Sequence, residues 1–123
     1  MRILVVDDEP PIVQLCVKIL ARAGHEVDGV TSGEDALARL TSTLVDLLVV
    51  DYNMPELNGI EVIRRARTFQ PGLKVVMITA HRTREAAEEE LGAGPSWVLM
   101  KPFTPNELVQ TVDATLNQSR DRS

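Results

Sequence analysis

Cysteine is nearly absent from the sequence, because Cys16 is the only one and no disulfide can form within the chain. Cys16 lies among the apolar residues Ile12, Leu15 and Ile19 at helical spacing. We therefore interpret it as a buried core thiol of a protein that works in a reducing compartment.

An excess of positive charge is also lacking. Thirteen lysines and arginines stand against 18 aspartates and glutamates, which gives a net charge of −5. A chain with this balance repels a phosphate backbone, so we expect no direct binding of nucleic acid.

Long apolar runs and an export signal are missing as well. The longest apolar stretch, residues 44–50, contains Asp46 and is far shorter than the roughly 20 residues of a membrane helix. Residues 1–6 lead directly into acidic residues, without the small-residue cleavage site of a signal peptide. We expect no membrane span and a cytoplasmic location.

The size and composition fit one ordinary globular domain. The chain has 123 residues, of which 44% are hydrophobic and 25% charged, enough for one core and too few for two. Residues 119–123 have no apolar period. We predict a domain over residues 1–118 and a polar tail, or the start of a linker, over residues 119–123.

Short β-branched runs alternate along the chain with longer stretches of helical period, a pattern typical of strand–helix units around a parallel sheet. The sequence therefore predicts an α/β fold in three layers, with five parallel strands flanked by five helices. The predicted strands are residues 2–7, 26–30, 46–51, 74–79 and 97–100. Three of them are unbroken apolar runs, as expected for strands covered on both faces.

Several helix boundaries carry their own signals. Two consecutive prolines at residues 10–11 can open the first helix, and Gly24 can close it. Two further helix starts combine a capping side chain with a glutamate three residues later. These pairs are Asn58 with Glu61 and Thr104 with Glu107, the second with Pro105 at the first helical position.

Polar groups end or directly follow four of the five predicted strands, at the sheet edge where open α/β sheets bind their ligands. These groups are Asp7 and Asp8, Asp51, Thr79 and Lys101. Three carboxylates gathered in one pocket would repel one another unless a cation lay between them. Because the ligands would all be oxygens, the pattern favours Mg²⁺.

Acidic residues also favour helix N-termini, which alone could explain Asp7, Asp8 and Glu9. That explanation does not account for Asp51 at the end of another apolar strand, or for Lys101 beside a proline after the last one. The joint occurrence of these residues indicates a site.

Four motifs together resemble the signature of response regulator receiver domains of two-component signalling. They are residues 3–9 (Ile-Leu-Val-Val-Asp-Asp-Glu), Asp51-Tyr52-Asn53-Met54-Pro55 with Asn58-Gly59, Thr79-Ala80, and Lys101-Pro102-Phe103. The resemblance covers essentially the whole chain, with each motif at a predicted strand end. It implies a flavodoxin-like fold similar to that of chemotaxis regulators, with strand order 2-1-3-4-5.

The resemblance also implies roles for individual residues. Asp51 would be the phosphoacceptor, and Thr79 and Lys101 would complete the catalytic set. The implied Mg²⁺ ligands are Asp7, Asp8, Asp51 and the backbone carbonyl of Asn53. The chemistry would be confined to the chain's own phosphorylation and dephosphorylation, so we do not expect an enzyme acting on other molecules.

The expected partners follow from the same resemblance. The phosphodonor would be a sensor histidine kinase, a phosphotransfer protein or a small phosphodonor. The output would be an effector domain or a partner protein, and the domain could form a dimer on phosphorylation.

Further expectations concern individual positions. The resemblance implies a cis peptide bond between Lys101 and Pro102. Val98 stands where the family often has an aromatic residue, with Trp97 one place earlier, so we expect altered coupling to Thr79. The resemblance also implies that His81 and Asn53 tune the attack of water on the phosphoaspartate, and a solvated loop residue is the alternative for His81. For His25 the sequence offers no partner, and we expect an inert surface residue.

Other protein classes fit less well. A flavin-binding electron carrier would need a glycine- and hydroxyl-rich loop after the first strand, and an aspartate phosphatase would need a second aspartate two residues after its nucleophile. Residues 7–11 provide neither. A receiver fold that serves as a docking module without phosphorylation remains the alternative.

Overall fold

In the computed structural model, which describes residues 1–80 and 97–118, the core is one parallel sheet. The strands are β1 (Arg2–Val6), β2 (Glu26–Val30), β3 (Leu47–Asp51), β4 (Lys74–Thr79) and β5 (Trp97–Met100). Their order is β2-β1-β3-β4-β5. The predicted flavodoxin-like sheet is confirmed, and every strand ends within one residue of its predicted bounds.

Four helices lie in the described residues: α1 (Pro10–Arg22), α2 (Gly33–Ser42), α3 (Gly59–Phe69) and α4 (Pro105–Gln118). None of them has the length and apolar character needed to cross a membrane. The remaining predicted helix, between β4 and β5, falls in residues 81–96, which lie outside the described residues, as do His81 and the predicted tail.

The predicted helix starts are confirmed by their capping hydrogen bonds. The Glu61 amide donates to the Asn58 side chain (3.0 Å) at the start of α3. At the start of α4, the Glu107 amide donates to Thr104 Oγ1 (3.1 Å) and the Thr104 amide donates to Glu107 Oε1 (2.9 Å). Each pair satisfies amides that the helix itself leaves without partners.

Apolar side chains cover the sheet on both faces. Along β3 they alternate, Leu47 and Val49 packing with the α1 and α4 layer, and Leu48 and Val50 with the α2 and α3 layer. Every residue of β3 is buried. Full burial of each such aliphatic side chain contributes about 1.5–3 kcal/mol, so the strand that ends in Asp51 is firmly held. Cys16 is fully buried in the α1 and α4 layer, as predicted.

The expectation of an inert surface position for His25 was wrong. Gly24, with φ of 99°, reverses the chain after α1, and α1 packs beside α4. The His25 side chain is consequently only 12% exposed, and its Nε2 lies 3.6 Å from Asp113 Oδ1 on α4. This pairing depends on how two distant helices pack, which the residues around His25 do not reveal.

Candidate functional site

The register of the sheet brings the predicted site residues to one edge. Between β1 and β3, the last paired residues immediately precede Asp7 and Asp51. Asp51 pairs across to the residue before Thr79 on β4. Thr79 pairs in turn with the residue before Lys101, and the Lys101 amide donates to the Thr79 carbonyl (2.9 Å). Side chains that are far apart in sequence therefore converge at the carboxyl ends of four strands.

Three carboxylates form a cluster at this edge. One oxygen from each of Asp7, Asp8 and Asp51 lies within 4.8 Å of the others. Asp7 and Asp51 are almost fully buried, with 1% and 4% exposure, whereas Asp8 is more open to solvent. The cluster thus has a buried floor and an accessible mouth.

Lys101 is the cation that faces the cluster. Its Nζ lies 3.4 Å from Asp7 Oδ2 and 3.5 Å from Asp51 Oδ1. Burial of Lys101 disfavours its charge, but the attraction of Asp51 and Asp7 outweighs burial and raises its pKa. The ammonium is therefore retained, yet one positive charge does not balance three carboxylates.

The carboxyl pKa values record this excess of negative charge. Burial, followed by repulsion from Asp7, raises the pKa of Asp51 from 3.8 to about 6, against the opposing effects of Lys101 and a hydrogen bond from the Asn53 amide. Burial also raises the pKa of Asp7, although its carboxylate accepts the Glu9 amide (2.9 Å). A bound cation would favour the ionised form of both carboxylates and would therefore lower both pKa values.

The donor set fits a small hard dication. All the clustered groups are carboxylates, and magnesium prefers oxygen ligands and retains several waters, which agrees with the partial exposure of Asp8 to solvent. The exposed Asn53 follows Asp51 by two residues, so its backbone belongs to the same edge. The residues present are thus compatible with Mg²⁺.

Capping of α1 does not explain the acidic residues after β1. The N-cap of α1 is Glu9, which makes no side-chain capping bond, and the first turn holds no acidic residue. The Asp7 carboxylate instead faces Lys101. The Asp7–Asp8 pair therefore serves the cluster at the strand ends.

Gly59 allows the loop after Asp51 to close tightly. Its amide donates to the Tyr52 carbonyl (2.9 Å), and a Cβ at this position would lie 2.6 Å from the Asp51 carbonyl oxygen. Such an approach excludes any side chain. The Asn58-Gly59 motif thus sets α3 directly against the backbone of Asp51, while Met54 anchors the loop in the core.

The other predicted positions are found as follows. Thr79 is fully buried at the end of β4, and the Lys101–Pro102 bond is cis, as the resemblance implied. Val98 is partly buried and packs against the α2 and α3 layer. Sequence reasoning missed the Glu9 amide that binds Asp7, because any residue except proline offers such an amide.

Known proteins are similar to this chain in sequence. The model of the response regulator receiver domain family matches residues 3–113. The DNA-binding response regulator MtrA of Mycolicibacterium smegmatis is 35% identical over 120 residues, covering 98% of this chain and 52% of MtrA. The chemotaxis protein CheY of Thermotoga maritima is 30% identical over 113 residues, covering 91% of this chain and 94% of CheY.

A solved structure agrees with these relatives. The CheY-like receiver domain protein of Methanospirillum hungatei JF-1 superimposes with a TM-score of 0.90 at 29% identity, covering 99% of this chain and 98% of its own. The chain thus spans about half the length of MtrA, almost the whole of CheY and almost the whole chain of the solved structure.

Proposed function

Because the chain belongs to the response regulator receiver domain family, we propose that it accepts a phosphoryl group on Asp51 and signals by changing conformation. The observation that carries the proposal is the buried Asp51 carboxylate, which ends the central strand with Lys101 3.5 Å away. In this family, acceptance of the phosphoryl group connects the kinase of a two-component system to the response that the regulator controls.

The transfer step follows from the position of Asp51. One of its oxygens would bond to phosphorus while the bond between phosphorus and the donor's leaving group breaks on the opposite side. With a pKa of about 6, the carboxylate is mainly ionised at pH 7 even before a cation binds, so it is available for attack. Lys101 would neutralise charge on the transferred group.

Magnesium would be held by Asp7, Asp8, Asp51 and the Asn53 carbonyl. When bound, it would supply positive charge to the phosphoryl oxygens. Asp7, the most buried of the carboxylates, would orient this site through its contacts with Lys101 and the Glu9 amide. The chain's chemistry would act on itself alone, not on other substrates.

Thr79 is the residue through which phosphorylation would alter the fold. It lies on the strand next to Asp51, and its hydroxyl could donate to a phosphoryl oxygen only after transfer. At position 98 of β5 this chain has valine, so no aromatic ring at that position can move together with Thr79. We therefore propose a response carried mainly by Thr79 and the backbone of β4 and β5.

The partners proposed are those of the family. A histidine kinase or phosphotransfer protein in the cytoplasm would supply the phosphoryl group, and an effector domain or separate protein would receive the signal. MtrA, by its name, is a DNA-binding response regulator about twice the length of this chain, whereas CheY is of similar length. A dimer that forms on phosphorylation is part of the proposal.

Incubation with acetyl phosphate tests the proposal directly. The wild type should gain the mass of one phosphoryl group with Mg²⁺ and none with EDTA, whereas Asp51→Asn should gain none. Asp46→Asn is the matched control, because this exposed residue precedes the same strand and its side-chain oxygen can still accept the Arg2 amide. A wild type that stays unmodified with Mg²⁺ would instead favour the phosphorylation-independent docking module.

A further inference from the structure

Glu56 has a backbone conformation that its side chain does not favour. Its φ is 67°, and among residues 1–80 and 97–118 it is the one non-glycine residue with positive φ. The left-handed region is unfavourable for residues with a Cβ and is tolerated best by glycine and asparagine. A strained conformation of this kind persists only where the surroundings enforce it.

The surrounding loop does enforce it. The Leu57 amide donates to the Pro55 carbonyl (2.7 Å), which makes Glu56 the centre of a three-residue γ-turn. On either side, Met54 is buried and Leu57 packs against the same core layer. Glu56 itself is exposed, so its neighbours, not its own side chain, hold the turn.

The turn lies within the loop that carries the proposed metal ligand. The hydrogen bond from the Gly59 amide to the Tyr52 carbonyl closes this loop, and Asn53 lies three residues before Glu56. The Asn53 amide in turn donates to the Asp51 carboxylate. With both ends fixed, the conformation at residue 56 limits the paths that the backbone between Asn53 and Pro55 can take.

We propose that Glu56 is a positioning residue, whose left-handed backbone holds loop 52–59 in the shape that presents the Asn53 carbonyl together with the Asp51 carboxylate to Mg²⁺. This inference rests on the proposed Mg²⁺ site. It assigns the effect to the backbone of Glu56 and none to its carboxylate.

Four substitutions separate backbone from charge. Glu56→Gln removes the charge alone, and Glu56→Asn also tolerates positive φ, so both should bind Mg²⁺ as the wild type does in isothermal titration calorimetry. Glu56→Val disfavours positive φ strongly and should weaken Mg²⁺ binding about tenfold. Glu56→Gly permits the turn but loosens the loop, and should weaken binding about two- to fivefold.

Two readouts without Mg²⁺ accompany the titrations. Hydrogen exchange at the Leu57 amide should stay slow in the Gln and Asn variants and become fast in the Val variant, because it reports the γ-turn itself. Urea unfolding in EDTA identifies a variant that is merely less stable. If the Val variant does not fold, the comparison of Gly with Gln decides.

The outcomes are distinguishable. Equal affinity of the Val and Gln variants, or of the Gly and Gln variants where Val does not fold, would overturn the positioning role and leave the proposed function intact. A loss in Gln equal to the loss in Val would also overturn it, since charge would then be responsible. A wild type that binds no Mg²⁺ would overturn both the metal site and this inference.

Discussion

Replacing Asp51 by asparagine should make the protein more stable while abolishing its proposed activity. Burial and repulsion from Asp7 raise the pKa of Asp51 from 3.8 to about 6, so the ionised form is disfavoured in the folded state. About two pKa units correspond to about 3 kcal/mol. Asparagine resembles the protonated carboxyl in size, and we expect Asp51→Asn to raise the free energy of unfolding by about 2–3 kcal/mol at pH 7.5.

The destabilisation by Asp51 should depend on pH. Because the folded pKa is the higher one, the destabilisation by Asp51 is fully present above pH 6, shrinks as the pH falls and is absent below 3.8. Urea unfolding of both proteins in EDTA at several pH values measures the difference. Asp46→Asn, at an exposed position, should change stability by less than about 0.5 kcal/mol.

Addition of Mg²⁺ supplies the second half of the assay. Because Mg²⁺ should bind only the folded state, it should raise the free energy of unfolding of the wild type. The difference in stability between the wild type and Asp51→Asn should then become smaller. If Asp51→Asn were less stable than the wild type at pH 7.5, or if the gap did not close on acidification, the electrostatic account of the cluster would be refuted.

The remaining predictions concern three other properties. Gly59→Ala should lower the free energy of unfolding by about 1–3 kcal/mol, since its Cβ would meet the backbone of Asp51 and Tyr52, whereas Gly72→Ala has nothing within 4 Å and should be harmless in the same urea titration. Mg²⁺ affinity should fall about tenfold between pH 7 and pH 5 in calorimetry, because the proton competes at Asp51 near pH 6. Burial raises the pKa of Cys16 to about 11, so a thiol reagent at pH 8 should label it only in urea, and rapid labelling of the folded protein would contradict its place in the core.

Local signals in the sequence predicted much of this fold. Continuous apolar runs such as that of β3 identified the strands, and capping residues such as Asn58 and Thr104 identified helix starts to the residue. The convergence of the site also followed, because parallel strands bring their carboxyl ends to one edge. The polar and charged side chains at the ends of four strands were enough to locate the site.

Features that depend on packing between distant segments could not be predicted. Nothing near Gln70 indicates that its side chain would accept the Val45 amide (3.1 Å) and donate to the Leu40 and Thr43 carbonyls (2.9 and 2.7 Å). Likewise, glutamate does not signal a left-handed backbone, and Glu56 adopts one because its loop is anchored on both sides. Such conformations are set by tertiary contacts and not by local preference.

The most direct test of the central claim is to locate the phosphoryl group after reaction with acetyl phosphate and Mg²⁺. Borohydride reduces an acyl phosphate on aspartate to homoserine, which peptide mass spectrometry can assign to one position. The account predicts homoserine at residue 51 in the wild type and at no residue in Asp51→Asn. Modification at Asp7 or Asp8 with residue 51 untouched would contradict it.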